Sequence, residues 1–347
     1  MDMPGSLPFS KAFDHASGIT AQRFQNPFYK FKEVFFGAPL RRAVLEVKTF
    51  GREIVSAAVQ KREDEESRKD PSIGESADPL KNNLINSLLD HIEDQQVVAD
   101  AAMNYLSAGR DTTAQSLTWT LYLLMRHPTA QQKLLEELRA AFPDSGHHLP
   151  VSFDSVQPSS LPYTMAVFNE SLRLYPPVPI EIKECTADST FPDGTNLPKG
   201  SVVMWVPWAM GRSHQIWGED ANEFLPERWL LLDNELKQPE PAMAVDVKDK
   251  NKPARLVSKS AFEFPVFNGG PRSCLGKKLA ELLAVSVIAS LIWNYDFEEI
   301  IDDKLGGCGP GNARLSQDSL TLPMEGGLPC LVHMRKTENA KEDITVR

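Results

Sequence analysis

The chain has 347 residues, enough for a large core and for more than one ordinary domain of roughly 100 to 200 residues. Its content of 41% hydrophobic, 24% charged and 8% aromatic residues excludes collagen-like, low-complexity and wholly disordered chains. With 47 acids against 37 bases the net charge is -10, which repels phosphate backbones and argues against a nucleic-acid partner.

In chain order, residues 12–68 carry a helical pattern, with Val44, Val47, Phe50, Ile54 and Val55 on one face by three-and-four spacing. Residues 61–79 mix both charges with Pro, Gly and Ser, have no apolar face, and read as a solvated connector. Helical pattern returns over 80–92 and again over 95–126, a proline-free run of 32 residues closed by Pro128. Further helices are expected over 130–142 and 161–174, the latter stopped by Pro176 and Pro177. Residues 180–210 turn to short β-like runs broken by Pro-Asp-Gly and Pro-Lys-Gly. Residues 231–259 are polar and proline-bearing and read as a surface insertion. A glycine-rich loop then leads into an apolar helix over 275–293, a β-like tail over 320–332 and a charged terminus over 336–347.

The longest charge-free apolar stretches, 112–125 and 282–295, hold 14 residues each, against about 20 needed to cross a bilayer, and read as buried helices. Cys185, Cys274, Cys308 and Cys330 include no Cys-x-x-Cys pair, so neither a disulfide nor a zinc framework is expected. The opening MDMPGSLPFS has no basic leader and no apolar run, and a cytosolic chain is expected. His147 and His148, beside Pro150, read as solvated loop residues.

The densest chemistry is in Phe267-Asn268-Gly269-Gly270-Pro271-Arg272-Ser273-Cys274-Leu275-Gly276. Two adjacent glycines let backbone approach a flat ligand, Arg272 adds a fixed cation, and Cys274 stands where a helix begins. A helix start and a guanidinium both favour the thiolate, the form that ligates metal. Taken without its surroundings, Cys274 would also fit a buried free cysteine beside a tight turn. The whole stretch resembles the haem-binding loop of the cytochrome P-450 family, Phe-x-x-Gly-x-Arg-x-Cys-x-Gly. That resemblance implies haem b held by Cys274 as axial ligand, Arg272 on a propionate, Phe267 packed beside the sulfur, and Gly270 and Gly276 in the cofactor-binding loop. Lys183 stands where many relatives have a propionate-binding Arg, and a lysine there is a single-point donor without the bidentate fork.

The run Ala108-Gly109-Arg110-Asp111-Thr112-Thr113 puts polar groups in the middle of a long apolar helix, where they need partners. Threonine hydroxyls bonding back one turn and Asp111 pairing with a base would suffice. The run also resembles the family's Ala-Gly-x-Asp-Thr-Thr signature, which implies Asp111 and Thr112 as the catalytic pair passing protons to bound dioxygen. Glu170 and Arg173 lie three apart on one helix face, a spacing that Glu65 with Arg68 and Glu136 with Arg139 share. Only the first pair is followed by Leu-Tyr-Pro-Pro-Val-Pro and by Pro226-Glu227-Arg228-Trp229, and the resemblance implies a buried network of Glu170, Arg173 and Arg228.

The resemblance covers residues 12–335 and implies a mainly α fold with small β-sheets, a single partial cytochrome P-450 domain lacking its N-terminal part. It implies a monooxygenase that uses dioxygen and electrons from an NADPH-dependent flavoprotein reductase at the cytosolic face of the endoplasmic reticulum. The texture of residues 107–128 and 217–229 is similar to the fungal branch that hydroxylates alkanes and fatty acids. Carried over by position, Ser107, Ala108, Val178, Ile180, Met324 and Gly326 line a pocket for an apolar substrate. Glu181 and Glu325 stand nearby, where a buried acid would repel a fatty carboxylate. Two other readings stay open: a haem-thiolate enzyme that rearranges peroxides, and an inactive truncated remnant. Because roughly 95 residues precede the Asp-Thr helix, fewer than in the family, the chain alone is expected to be poorly soluble and to bind haem weakly.

Overall fold

The computed structural model describes residues 6–67, 83–143, 145, 149, 155–232, 254–301, 313–317 and 319–335. The described chain is mainly α with small two-stranded antiparallel sheets, as the sequence led us to expect. Cys308, His147, His148, Pro150 and the tail 336–347 lie outside the described residues, as do 68–82 and 233–253. The chain divides into two compact units, Met1–Asp111 with Asp318–Leu320 and Thr112–Gln317 with Thr321–Arg347.

The first unit contains α1 (Ser6–Gln25), α2 (Tyr29–Phe36), α3 (Ala38–Ser67), α4 (Leu84–Leu89) and the start of α5 (Gln95–Arg126). α1 packs on α3, with Phe9 stacked on Phe50 at 4.3 Å. The buried face of α3 runs through Leu40, Ala43, Gly51 and Val55, and Val44, expected on it, is exposed. α5 meets α3 around Gly51, where a Cβ would lie 2.7 Å from Met103 Cγ, and at Val55, which packs with Val98 and Ala99; Val44 lies about two turns before that contact. Residues 61–67, expected in a connector, continue α3. Arg62 pairs with Asp90 beyond the end of α4, and Ser67 Oγ donates to the Glu63 carbonyl, so polar contacts sustain turns that have no apolar face. α4 is shorter than expected and begins where the Asn83 side chain accepts the Asn86 N–H, satisfying one of the helix's free donors. α2 and the residue before it leave Phe28, Phe31, Val34, Phe35 and Phe36 exposed at 65 to 76%.

The second unit takes the rest of α5 together with α6 (Pro128–Ala141), α7 (Pro162–Leu174) and α10 (Lys277–Asn294) as its core. Pro128 and Pro162 open their helices where a missing N–H costs nothing. The spacing Ala130, Leu134, Leu138 and Ala284, Val285, Ile288, Ala289, Ile292 places one stripe of each helix inside. Each fully buried Leu or Ile in these stripes contributes about 1.5 to 3 kcal/mol. Trp119 of α5 stacks on Tyr175 at 4.0 Å and its indole N–H donates to the Leu322 carbonyl, 2.8 Å away.

Around this core, β1 (Glu181–Glu184) pairs with β4 (Val202–Trp205), and β2 (Ser189–Thr190) with β3 (Asn196–Leu197). The β-like run ends at Trp205. Residues beyond it form α8 (Pro207–Met210), because Pro207 has no N–H to give a ladder and sits well in a first helical turn. A further single turn, α9 (His214–Trp217), follows. Both ends of the expected insertion 231–259 are instead part of a ribbon, β5 (Leu230–Leu232) against β6 (Ala254–Leu256), and residues 233–253 between them lie outside the described residues. Finally β7 (Tyr295–Glu299) pairs with β8 (Cys330–Met334). Cys185, Cys274 and Cys330 are free thiols, and among the described residues no helix is long and apolar enough to cross a membrane.

Candidate active site

Cys274 lies at the end of a loop that two short 3-10 turns, Pro265–Phe267 and Gly270–Arg272, fold back on itself. The loop is closed by its backbone, the Cys274 N–H donating to the Phe267 carbonyl at 2.8 Å and the Asn268 N–H to the Pro265 carbonyl at 2.8 Å. Gly276 then caps α10, so the thiol stands just ahead of a helix start, as expected. Cys274, Arg272 and Gly270 are exposed and Phe267 is half-buried, with the Lys277 ammonium 5.5 Å from its ring centre. Two apolar side chains that follow the thiol in the chain face outward, its neighbour Leu275 at 78% and Leu279 in the first turn of α10 at 69% exposure. Gly270 has φ 60°, and a Cβ there would meet nothing within 4 Å.

This donor set tests what the loop can hold. Among the described residues no group of three or more His, Cys, Asp or Glu is placed to hold a bare metal ion. A lone exposed thiol with leucines beside it and open backbone at Gly270 fits a metal that brings its other ligands within a flat, apolar ring. The residues present therefore fit a haem.

Behind the loop lies a buried ion network. Glu170 and Arg173 on α7 have no exposed side-chain surface, and Arg228 keeps 13%. The Glu170 carboxylate accepts from Arg173 Nε and Nη2 at 2.8 and 2.7 Å, Arg228 Nε at 2.9 Å, the Leu225 N–H at 2.9 Å and the Trp229 indole N–H at 2.9 Å. The remaining N–H groups of Arg173 reach the carbonyls of Gly211, Ala221 and Glu223, and its guanidinium lies 5.0 Å from the Trp217 ring centre. Such satisfaction is what lets two guanidiniums and a carboxylate leave water. Gly211 makes it possible, since a Cβ there would sit 2.1 Å from the Arg173 carbonyl. The network meets the loop through Trp229, whose ring lies edge-on to Phe264 at 4.8 Å, one residue before the first 3-10 turn. Sequence reasoning named the three charges but not Trp229 or Trp217, although the Trp of the Pro-Glu-Arg-Trp run was a signal for the former.

A second link to the loop was also missed. Asn268 Nδ2 donates to Glu181 Oε1 at 3.1 Å, so the Glu181 carboxylate is bonded to the loop. Lys183, two residues on along β1, is exposed, and its ammonium lies 5.8 Å from the centre of the Trp205 ring. Val178 is half-buried and Ile180 half-exposed at 50%, whereas Met324 is buried in the core and Gly326 is exposed with φ 69°. Trp208 lies on α8 and Arg212 just beyond its end. The Arg212 guanidinium stacks 4.0 Å from the Trp208 ring centre, and burial lowers its pKa to about 10.

In the first unit, Ser107 and Ala108 lie on α5, where Ser107 Oγ donates to the Asn104 carbonyl and Ala108 is exposed. Asp111 does pair with a base, its chain neighbour Arg110 at 2.9 Å, and Arg110 also holds Asp14 at 2.7 Å. Burial, with the Asp14 charge, pushes the Asp111 carboxyl above the ordinary range against the pull of Arg110. On the second unit's part of α5, the Thr112 carbonyl accepts from Ser116 Oγ at 2.7 Å, and Thr118 and Thr120 bond back one turn in the same way.

Comparison with known proteins adds the following. A family model described as Cytochrome P450 matches residues 1–306. Cytochrome P450 94A1 of Vicia sativa is 32% identical over 333 residues, 94% of this chain and 57% of its own length. Cytochrome P450 94B1 of Arabidopsis thaliana is 32% identical over 343 residues, 97% of this chain and 59% of its own. Cytochrome P450 monooxygenase cyp1 of Mycosarcoma maydis is 30% identical over 329 residues, 91% of this chain and 47% of its own. The chain thus spans about half to three fifths of the length of these curated relatives. Plant and fungal proteins match at similar identity, so the comparison does not single out the fungal branch expected from the sequence.

Proposed function

The chain belongs to the cytochrome P450 family, and we propose from that premise that it is the haem-thiolate part of a monooxygenase acting on an apolar substrate. Haem b is the family's cofactor. When bound, it supplies dioxygen activation and transfer of one oxygen atom to a carbon–hydrogen bond, with electrons from outside the chain. The observation that carries the reading is the exposed Cys274 on a backbone-closed loop, backed by the fully satisfied Glu170 network.

In this reading Cys274 holds the iron through sulfur. Phe267 shields the sulfur, Arg272 and Lys183 take the propionates, and Gly270 and Gly276 keep the backbone low. Asp111 and Thr112 hold and pass a proton at carboxyl and hydroxyl oxygen. Burial, by raising the Asp111 carboxyl, favours its holding a proton closer to neutral pH. By resemblance the substrate-wall roles fall to Ser107 and Ala108 of the first unit and to Val178, Ile180, Met324 and Gly326 of the second, and an alkane or fatty-acid chain is the class proposed. Glu181 counts less against a fatty carboxylate than its charge suggests, because its oxygen is bonded to Asn268. An NADPH-dependent flavoprotein reductase is the proposed electron donor, and the cytosolic face of the endoplasmic reticulum the proposed location of the whole enzyme.

A second reading, that the 347 residues alone bind haem weakly, is favoured by the exposed Phe28, Phe31, Phe35 and Phe36. One experiment tests both. The chain is purified with added haem and the carbon monoxide spectrum of its reduced form is recorded beside that of Cys274→Ser. The thiolate reading expects a red-shifted band that the variant loses. The same band in both proteins excludes Cys274 as ligand, and no band in the parent favours the second reading. Turnover that needs no NADPH would turn the assignment toward peroxide rearrangement.

A further inference from the structure

Asn268 is the one non-glycine residue with positive φ among the described residues, at φ 56° and ψ -168°. That combination lies close to a region used almost only by glycine, and a residue with a side chain stays there only when its surroundings over-determine it. Here a glycine is available next door at Gly269, yet the strained position carries an asparagine. Its backbone N–H is spent inside the loop, on Pro265. Its side chain reaches out of the loop to the Glu181 carboxylate on β1 at 3.1 Å.

The partner is well placed to act as an anchor. Glu181 pairs across the sheet with Trp205, so its backbone is fixed by the β1–β4 ladder, and it is half-buried, which keeps water from competing freely for the bond. An ionised acceptor makes the hydrogen bond stronger than a neutral one. Just before Glu181 stand Val178, Pro179 and Ile180, and the Pro179 carbonyl accepts the Trp208 N–H at 3.4 Å, so this approach to β1 is also tied down.

We infer that Glu181 is a positioning residue: through Asn268 it holds the cysteine loop in the strained backbone conformation that presents Cys274. The inference rests on the reading of Cys274 as the thiolate ligand, and it gives the acid beside the substrate wall a task that needs no contact with substrate. It also couples that wall to the ligand loop, since a displacement of β1 pulls directly on Asn268.

The test exchanges donor and acceptor. Asn268→Asp puts a second carboxylate against Glu181 while keeping a residue type that tolerates positive φ. Combining it with Glu181→Gln restores one amide and one carboxylate with their places reversed. Backbone hydrogen exchange is followed residue by residue in the 347-residue chain without haem, and the reduced carbon monoxide spectrum is taken after haem is added. In Asn268→Asp the amides at positions 268 and 274 should exchange about tenfold faster, while those of Ile288 and Ile292 in α10 stay protected. The double variant should return both amides to the parental rate. Glu181→Gln alone should change little, because its amide oxygen still accepts from Asn268. Parental exchange in Asn268→Asp, a double variant as fast as the single, or equal loss of protection in α10 would overturn the inference. In the haem-loaded chain the thiolate band should fall in Asn268→Asp and return in the double variant. A parent with no such band would favour weak haem binding by the 347 residues alone and leave the exchange rates to decide the positioning role by themselves.

Discussion

Around Glu170 all five N–H groups of Arg173 point at oxygens inside the protein. Around Cys274 a thiol, a guanidinium and two leucines stand at the surface. The two regions are joined by the contact of Trp229 with Phe264. The first is a costly interior that the chain satisfies by itself, and the second is a working surface whose own side chains hold little of the fold together. Stability and chemistry are therefore expected to respond to different substitutions.

The sharpest break should come from Glu170→Ala. It strands two guanidiniums in the interior, and removing one partner of a buried ion pair costs about 3 to 5 kcal/mol. The denaturation midpoint should fall accordingly, and a shift of less than about 1 kcal/mol would mean that the network is not buried as described. Trp229→Phe is subtler because it leaves an aromatic ring facing Phe264, but it deletes the N–H that Glu170 accepts together with part of the buried indole. A hydrogen bond to a charged group is worth about 1.5 to 3 kcal/mol, and the smaller ring adds a cavity cost, so thermal unfolding should report a loss of at least about 1.5 kcal/mol.

At the rim of the network, Glu227 accepts from Lys133 at 2.6 Å and from Tyr163 at 3.1 Å. Burial pushes the Glu227 carboxyl up, but the bonds from Lys133 and Tyr163 outweigh it and leave it below the ordinary range. Since the folded value is depressed, this pair stabilises above the unfolded value of about 4.3 and loses that effect as pH falls through the folded one. Both side chains are nearly half exposed, so Lys133→Met should cost only about 0.2 to 1 kcal/mol at neutral pH. The gap between the two melting curves should close on acidification, and a gap constant from pH 6 to 3 would show that packing, not charge, is responsible. Smallest in stability is Cys274→Ser, expected within about 0.5 kcal/mol of the parent because the side chain is exposed. The same variant should nonetheless abolish the thiolate band, which is the separation of fold from chemistry in one protein.

The long helix was legible to the residue, from Gln95 to Arg126, because a proline-free periodic run ends against Pro128. The three charges of the network were legible through their surroundings, since spacing alone also matched Glu136 and Arg139, both of which prove to be exposed. What completes the network was hidden for a physical reason. Its acceptors are the carbonyls of Gly211, Ala221 and Glu223, and any residue type presents a carbonyl, so only the folded path shows which ones arrive. On α3 a pattern of large residues pointed to Val44, whereas the contact with α5 falls from Gly51 onward, about two turns further along the helix, and only the folded path shows where it falls. The Asn268 bond to Glu181 joins positions 87 apart, and nothing local to either residue marks it.

One feature of α5 bears on how the chain comes to be folded at all. The Trp119 indole waits for the carbonyl of Leu322, 203 positions later, and the Tyr122 hydroxyl for the N–H of Arg314, 192 positions later. Arg126 likewise pairs with Glu299. Ribosomes add about 5 to 20 residues per second, so Trp119 emerges roughly 10 to 40 s before its acceptor exists. Through that interval the last turns of α5 have only earlier neighbours and water to satisfy them, a state in which non-local topology makes folding slow and aggregation competitive. Losing a short segment at the end of this chain would therefore leave a helix from its middle unfinished.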